Sequence, residues 1–474
     1  MRVRFIILSL LVVVMSACAP RELGRKASET KVRYSREMIN ARMSAWHNKD
    51  AEVGFPNANS TNGTVLPAVE ATWDYVPGVV AKGILDVWEL YQDSAWADAW
   101  YIGLADWASQ QQATDQPGIL DDLNCTKVFV GLYRGAKPGG RFENADRAAY
   151  YMEQMRRGAR GLAEHKRLYS IAEGGAAGGW MHKATDDPAK SYWGQMWCDG
   201  AYMGPALLAQ LIAAGATDGT DLGWDDVIQQ FTASWPYLWN PEKRLPYHVL
   251  FTDISTNKNA RALRESGHLY PCALDPEIYR SEEYWGRAAG WYILAIVDVL
   301  EAMDQTGADK QYAEGYRTLR DYLSQLADGL VARQDRKTGC WYQLLQYGPE
   351  KSATQGKDDT GSARYSNVSE GGTQRNYLES SASCLITAAL LKGSRLGYIQ
   401  HAEAGRRGYE GIIRQFVRRG NITSSCQSAG LSTDRNGSAA YYLIGKDVPI
   451  QDDTEGKVLG AFLMAAGEYE RGER

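Results

Sequence analysis

A carboxylate with no charged neighbour stands at Asp199, inside Gln195-Met196-Trp197-Cys198-Asp199-Gly200-Ala201-Tyr202-Met203-Gly204-Pro205. An apolar run from Ala206 to Ala213 follows at once. Apolar walls disfavour the charged form of a carboxyl, so its pKa is expected to rise. A carboxylic acid kept protonated near neutral pH can donate a proton in catalysis. The competing reading is a helix cap, for which Asp is a favoured residue. Asp121 and Asp122, in Leu120-Asp121-Asp122-Leu123-Asn124, open a helical segment, where capping and the helix dipole alone account for two acids. Arg287 lies among small and aromatic residues in Tyr284-Trp285-Gly286-Arg287-Ala288-Ala289-Gly290-Trp291. A guanidinium in that setting can grip a carboxylate with two parallel hydrogen bonds.

Three short stretches join turn formers to flat side chains: Gly179-Trp180-Met181-His182-Lys183, Leu245-Pro246-Tyr247-His248 and Thr338-Gly339-Cys340-Trp341-Tyr342. A loop plug explains any one of them. Their recurrence between helical segments is the mark of a repeated unit that gathers aromatics on one face. No GxSxG, P-loop, HExxH or dinucleotide fingerprint occurs, so those chemistries lack support. His and acidic residues show no metal-ligand spacing, and neither a metal nor a cofactor is expected.

The elements that must hold these residues are helices. Helix-period segments recur about a dozen times along the chain, and convincing strands are scarce. They include 76–91, 122–133, 195–214, 283–304 and 377–397. The run from Ala288 to Leu300 is apolar on nearly all sides and is expected to be buried all round. Alternation of such helices with amphipathic ones suggests pairs wrapped into a two-layered ring. Two stretches, 257–272 and 347–375, read as long loops that can reshape a pocket.

The 474 residues are 44% hydrophobic and 23% charged, as in a globular chain. Tyr (28) and Trp (15) outnumber Phe (8), which suits half-wet surfaces such as carbohydrate clefts. A net charge of -5 argues against a nucleic-acid partner. Arg2 and Arg4, then an apolar core ending in Met15-Ser16-Ala17-Cys18, read as an export signal of the lipoprotein kind. Residues 1–17 would be cleaved, Cys18 would carry lipid, and 18–33 would tether residues 34–474 to the membrane. A bacterial periplasmic or outer-membrane lipoprotein, monomeric, is expected. The other six cysteines form no CxxC pair and are expected to pack as small hydrophobes.

Four blocks together resemble the signature of the unsaturated rhamnogalacturonyl hydrolases, glycoside hydrolase family 105. They are Trp197 to Pro205, Trp285 to Trp291, Gly339-Cys340-Trp341-Tyr342-Gln343 and Asn376-Tyr377-Leu378-Glu379-Ser380-Ser381-Ala382-Ser383. The resemblance runs from about Trp73 to Phe462. It implies an all-α fold, an (α/α)6 barrel with short strands in the loops on one face. It implies hydration of the C4–C5 double bond of a 4,5-unsaturated uronic acid at the non-reducing end of lyase-generated rhamnogalacturonan oligosaccharides. By the same resemblance Asp199 and Asp121 are the catalytic pair. His182 and His248 are polar groups around the sugar, Arg287 pairs with the uronate carboxylate, and Trp291 stacks on a ring. Tyr75 closes the pocket, and Trp197 and Trp341 belong to the substrate site. Two alternatives stand beside this: a glucuronyl hydrolase of ulvan- or glycosaminoglycan-derived oligosaccharides, and a surface glycan-binding lipoprotein without activity.

Overall fold

The computed structural model describes residues 33–43, 73, 75–168, 178–252, 257–356 and 367–474, with the backbone of strands Gly54–Pro56 and Val65–Pro67. Cys18 and the expected signal and tether lie outside the described residues. Among the described residues twelve helices have nine residues or more. They are α1 Tyr34–Met43, α2 Tyr75–Tyr91, α3 Ala95–Ala108, α4 Lys127–Ala136, α5 Ala145–Ala163 and α6 Pro205–Ala213. They continue with α7 Trp224–Leu238, α8 Gly286–Thr306, α9 Ala313–Ala332, α10 Ser380–Arg395, α11 Ala402–Gln415 and α12 Gly456–Arg471. The even-numbered helices stand side by side, α2 on α4, α4 on α6, and so on until α12 closes the ring against α2. Each odd-numbered helix lies against the ring from outside. This is an (α/α)6 barrel, and residues Tyr34–Arg474 form one unit.

Residue pattern decides which helix goes inside. In α8 every residue from Gly286 to Leu300 is buried, and α12 is buried without a break from Gly456 to Gly467. Each Leu or Ile fully buried there contributes about 1.5–3 kcal/mol. In α5 the buried positions recur at helical spacing, Ala148, Tyr151, Met155, Ala159 and Leu162, and the other face stays wet. Glycine permits the close crossing of α2 and α12. A Cβ on Gly83 of α2 would lie 2.9 Å from the Gly460 carbonyl oxygen of α12, and a Cβ on Gly460 would lie 2.5 Å from that of Val79.

The inner helices all run the same way. First-turn residues Tyr75, Arg287 and Lys457 of α2, α8 and α12 line one hollow. Asp86, Asp298 and Glu468, late in the same three helices, line another. The end bearing the N-termini is covered by loops with short strands. A four-stranded antiparallel sheet, in the order Gln195–Trp197, Val249–Phe251, Tyr279–Ser281 and Leu269–Pro271, is the largest among the described residues.

Several boundaries differ from the periodicity. The expected helix 195–214 begins as a strand, because Met196 pairs with Leu250, and it breaks again where Gly204 meets Pro205 at the first position of α6. Segment 122–133 divides into Leu120–Asn124 and α4, joined by a tight turn in which Thr126 N–H donates to Leu123 O and Phe129 N–H to Thr126 O. The expected loop 257–272 holds a helix, Lys258–Glu265, started by the Asn257 side chain accepting from Ala260 N–H at 2.9 Å. Within 347–375, Ser352–Thr354 and Thr373–Arg375 pair as antiparallel strands.

Candidate active site

The hollow at the N-terminal end of the ring has a volume of about 130 Å³. Tyr75, Arg287 and Lys457 reach it from α2, α8 and α12, and Trp285 stands just before α8. Asp121 comes from the helix Leu120–Asn124, and His182, Trp197 and Asp199 from the loops before α6. Met203, Ser428 and Ala429 complete the lining.

The sheet explains why Asp199 is there. Strand Gln195–Trp197 pairs with Val249–Phe251, and Cys198 N–H donates to His248 O at 2.8 Å. These bonds bring the residue before one strand beside the residue after the other. His248 Nε2 stands 3.1 Å from Asp199 Oδ2, with neither atom aligned for a full hydrogen bond. Asp199 begins the turn Gly200–Met203, yet its side chain caps nothing. The carboxyl therefore faces the hollow rather than serving the helix, although it is only 7% exposed. On its far side His248 Nδ1 lies 2.6 Å from the Tyr442 hydroxyl. His182 stacks on Trp197, centroids 4.4 Å apart and planes 9° from parallel, and its Nε2 is 3.7 Å from Asp121 Oδ1.

Electrostatics correct one expectation. Burial does push the Asp199 carboxyl up, as its apolar walls suggest, but the adjacent imidazoles, His248 first and then His182, pull it down further. The net direction is below the usual carboxylate range. The sequence shows the walls and hides the imidazoles, which arrive from other loops. Burial holds His182 neutral, pushed down to about 3 against the pull of Asp199. The Tyr75 phenol is raised well above its usual range, first by burial and then by Asp121, Glu455 and Asp199.

Arg287 is 1% exposed and incompletely paired. Its Nη2 donates to Cys426 O, whereas Nε and Nη1 have no hydrogen-bond partner. The nearest carboxylate to Nη1 is Glu455 Oε1, at 3.9 Å. Burial works against its charge, but Cys426, Glu379, Tyr75 and Glu455 hold it on, and the guanidinium stays protonated. Lys457 Nζ lies 3.2 Å from Glu455 Oε2. Glu455 is otherwise occupied at the start of α12, accepting from Lys457 N–H and Val458 N–H at 2.9 Å each. One carboxylate thus serves a helix cap and two cations, and two guanidinium nitrogens are left for a ligand oxygen.

Tyr75, Asp121, His182, Trp197, Asp199 and Arg287 all line the hollow, and His248 supports it from behind. Two further expected members stand away from it. Trp291 lies one helical turn deeper than Arg287, 1% exposed, packed on Tyr202 with centroids 4.5 Å apart. Trp341 is fully buried away from the hollow, its Nε1 donating to Leu330 O at 2.7 Å. The sequence reading missed Trp285, Lys457 and Tyr442. Trp285 opens one of the signature blocks, whereas a lysine early in a helix and a tyrosine in an apolar run carry no signal. Among the described residues no three His, Cys, Asp or Glu side chains converge as a metal cage. The six described cysteines are free and buried.

The sequence model of Glycosyl Hydrolase Family 88 matches residues 55–365 and 358–472. The unsaturated rhamnogalacturonyl hydrolase YesR of Bacillus subtilis (strain 168) is 23% identical over 341 residues, which is 71% of this chain and 76% of that protein. Among solved structures, a glycoside hydrolase from family 105 of C. acetobutylicum ATCC 824 superposes with a TM-score of 0.63 at 24% identity, covering 93% of this chain and 99% of that one. An unsaturated glucuronyl hydrolase specific for heparin superposes with a TM-score of 0.52 at 12% identity, over 93% and 97%. These two likenesses establish the shared fold.

Proposed function

We propose, from the premise that the chain belongs to Glycosyl Hydrolase Family 88, that it removes a 4,5-unsaturated uronic acid from the non-reducing end of oligosaccharides left by a polysaccharide lyase, with rhamnogalacturonan fragments as substrate. The observation that carries this reading is the pairing, in one hollow, of a buried carboxyl beside an imidazole with a buried guanidinium that has two unpartnered nitrogens. A uronate carboxylate satisfies Arg287, with Lys457 adding a second positive charge. The N-termini of the inner helices favour the same anion. The stacked His182 and Trp197 rings offer a flat wall to the sugar.

In the proposed reaction Asp199 gives its proton to C4, and positive charge develops on C5 and the ring oxygen. Water adds at C5 and returns a proton to Asp199, so the residue ends as it began. The resulting hemiketal opens to a ketone at C5, and C1 then expels the neighbouring sugar as an alcohol. One water is consumed, and the double bond is lost. Asp121, through His182, orders the polar side of the hollow. Rhamnose as the leaving sugar is favoured by the signature blocks and by YesR. The proposal also places the enzyme at a bacterial cell envelope, held by lipid on Cys18.

The test is a screen of lyase-generated oligosaccharides from pectin, ulvan and glycosaminoglycans, followed by loss of the ultraviolet absorbance of the C=C–carboxylate chromophore. Turnover of the rhamnogalacturonan products above the others is expected. Preference for ulvan or glycosaminoglycan products would move the assignment to the glucuronyl class. Binding without turnover of any would leave a glycan-binding protein.

A further inference from the structure

Behind Asp199 the chain builds a second layer that the proposed reaction has not used. We propose that Tyr442 is a positioning residue for the proton of Asp199, acting through His248: its hydroxyl, 2.6 Å from Nδ1, fixes the ring proton on Nε2, the nitrogen facing the carboxyl. This rests on Asp199 being the proton donor of the reading above.

A neutral imidazole has one N–H and one lone pair, and what each nitrogen meets decides which is which. Tyr442 meets Nδ1. Among the described hydrogen bonds its hydroxyl reaches no acceptor other than Nδ1, so the phenol proton goes there; burial first, then Tyr441, Asp199 and Glu283, hold that phenol well above its usual range. With Nδ1 accepting, the ring proton sits on Nε2, 3.1 Å from Asp199 Oδ2 and off the line of a full hydrogen bond. The phenol cannot easily turn away. Tyr442 is fully buried in the helix Ala439–Ile444, and its carbonyl oxygen accepts from Gln343 Nε2 at 3.2 Å. Gln343 is itself held by Trp285 Nε1 at 3.0 Å, and Trp285 lines the hollow. The imidazole is fully buried as well, so no solvent competes for either nitrogen.

The remaining titratable groups facing the pair are His182, Asp121, Tyr75, Arg287 and Lys457 on the hollow, Tyr441, Glu283 and Cys426 around Tyr442, and Cys198 along the chain. None of them touches Nδ1 at hydrogen-bond distance among the described contacts. Removing the Tyr442 hydroxyl therefore removes the one described donor that holds Nδ1 as the lone-pair nitrogen. The ring can then turn a lone pair to Asp199 and accept from its acid form, which favours the protonated carboxyl and ties up its proton.

Two measurements on Tyr442→Phe decide the matter. The first is the pH profile of kcat/KM on the unsaturated oligosaccharide. Its alkaline limb is expected to move to higher pH by about half a unit or more, the scale of one hydrogen bond to a charged group, while plateau kcat falls. The second needs no substrate. Long-range proton–nitrogen NMR of protein carrying ¹⁵N-histidine resolves the six histidines, with His248 assigned by its loss in His248→Asn. The wild type is expected to show the Nε2–H pattern for His248, and Tyr442→Phe a mixed or Nδ1–H pattern. An unmoved profile, or one moved to lower pH, overturns the proposal, and so does an identical His248 pattern in the two proteins. If the wild type turns over no unsaturated oligosaccharide, the functional reading fails while the NMR result still stands for or against Tyr442.

Discussion

The two ends of the inner ring are built from the same helices and treat charge in opposite ways. At the C-terminal end a hollow of about 160 Å³ is lined by Lys82, Arg134, Lys392, Arg395 and Arg471 against Asp86, Glu89, Asp298, Glu301 and Glu468. There Lys392 Nζ lies 2.6 Å from both Asp298 and Glu301, Lys82 is 2.6 Å from Asp86, and Arg134 is 2.7 Å from Glu89. At the N-terminal end Arg287 keeps two nitrogens unpartnered, and Asp199 meets His248 off the line of a good hydrogen bond. Leaving a buried polar atom unmade costs about 1–3 kcal/mol, a cost that a ligand in the N-terminal hollow can relieve at Arg287. The helix dipoles favour the same division, with cations near C-termini and a bound anion near N-termini.

That contrast can be broken from either side. The largest effect is expected at Asp199. Asp199→Asn keeps the shape and removes the proton, and kcat is expected to fall about 10³-fold, with the thermal midpoint unchanged; steady-state rates and a melting curve on the same preparation check it. At the other end Lys392→Met strands Asp298, which is 5% exposed. A loss of about 3–5 kcal/mol in urea unfolding is expected, with kcat/KM intact. A stable variant with poor turnover would erase the distinction between the ends.

Arg287→Lys sharpens the comparison, because a lysine cannot reproduce the fork. A drop of about 10- to 100-fold in kcat/KM, carried mainly by KM, is expected from losing one or two charge-assisted bonds. Lys127 marks the boundary between the ends: burial lowers its amine well below the usual range, and its Nζ touches Tyr202 O at 2.7 Å. Lys127→Met is expected to alter stability by less than about 1.5 kcal/mol in either direction, read from the same unfolding curves.

Acid acts on both stability and rate. His165 and His182 are held neutral by burial, pushed down to about 4 and about 3. The unfolded chain takes up their protons first, so stability is full above pH ~6.5, the unfolded value, and is lost as pH falls toward the folded ones. Activity runs the other way. Asp199 must be protonated to start, and its pKa lies below the usual range in the free protein, so kcat/KM is expected to fall as pH rises through the acid range. A melting series and a rate profile on one set of buffers read both signs.

Much of this was legible in the residues. The all-round apolar pattern of α8 announces an inner helix, and Asp199 and Arg287 stand out because charge is rare in such company. What stayed hidden depends on pairing across the chain. Gln195 to Trp197 continues a helical pattern on paper and becomes a strand only because Val249–Phe251 lies beside it. The same pairing delivers His248 and reverses the expected shift of Asp199. Trp291 shares a face with Arg287 by helical spacing, but depth along the barrel separates them. Lys457 gains its meaning from Glu455, which also has α12 to cap.

The most direct test of the central claim is to follow chromophore loss and sugar release together, on wild type and Asp199→Asn. Hydration predicts that each sugar released removes one double bond in the wild type, and that both signals vanish in the variant. Sugar released while the double bond persists, or undiminished release by Asp199→Asn, would contradict the account.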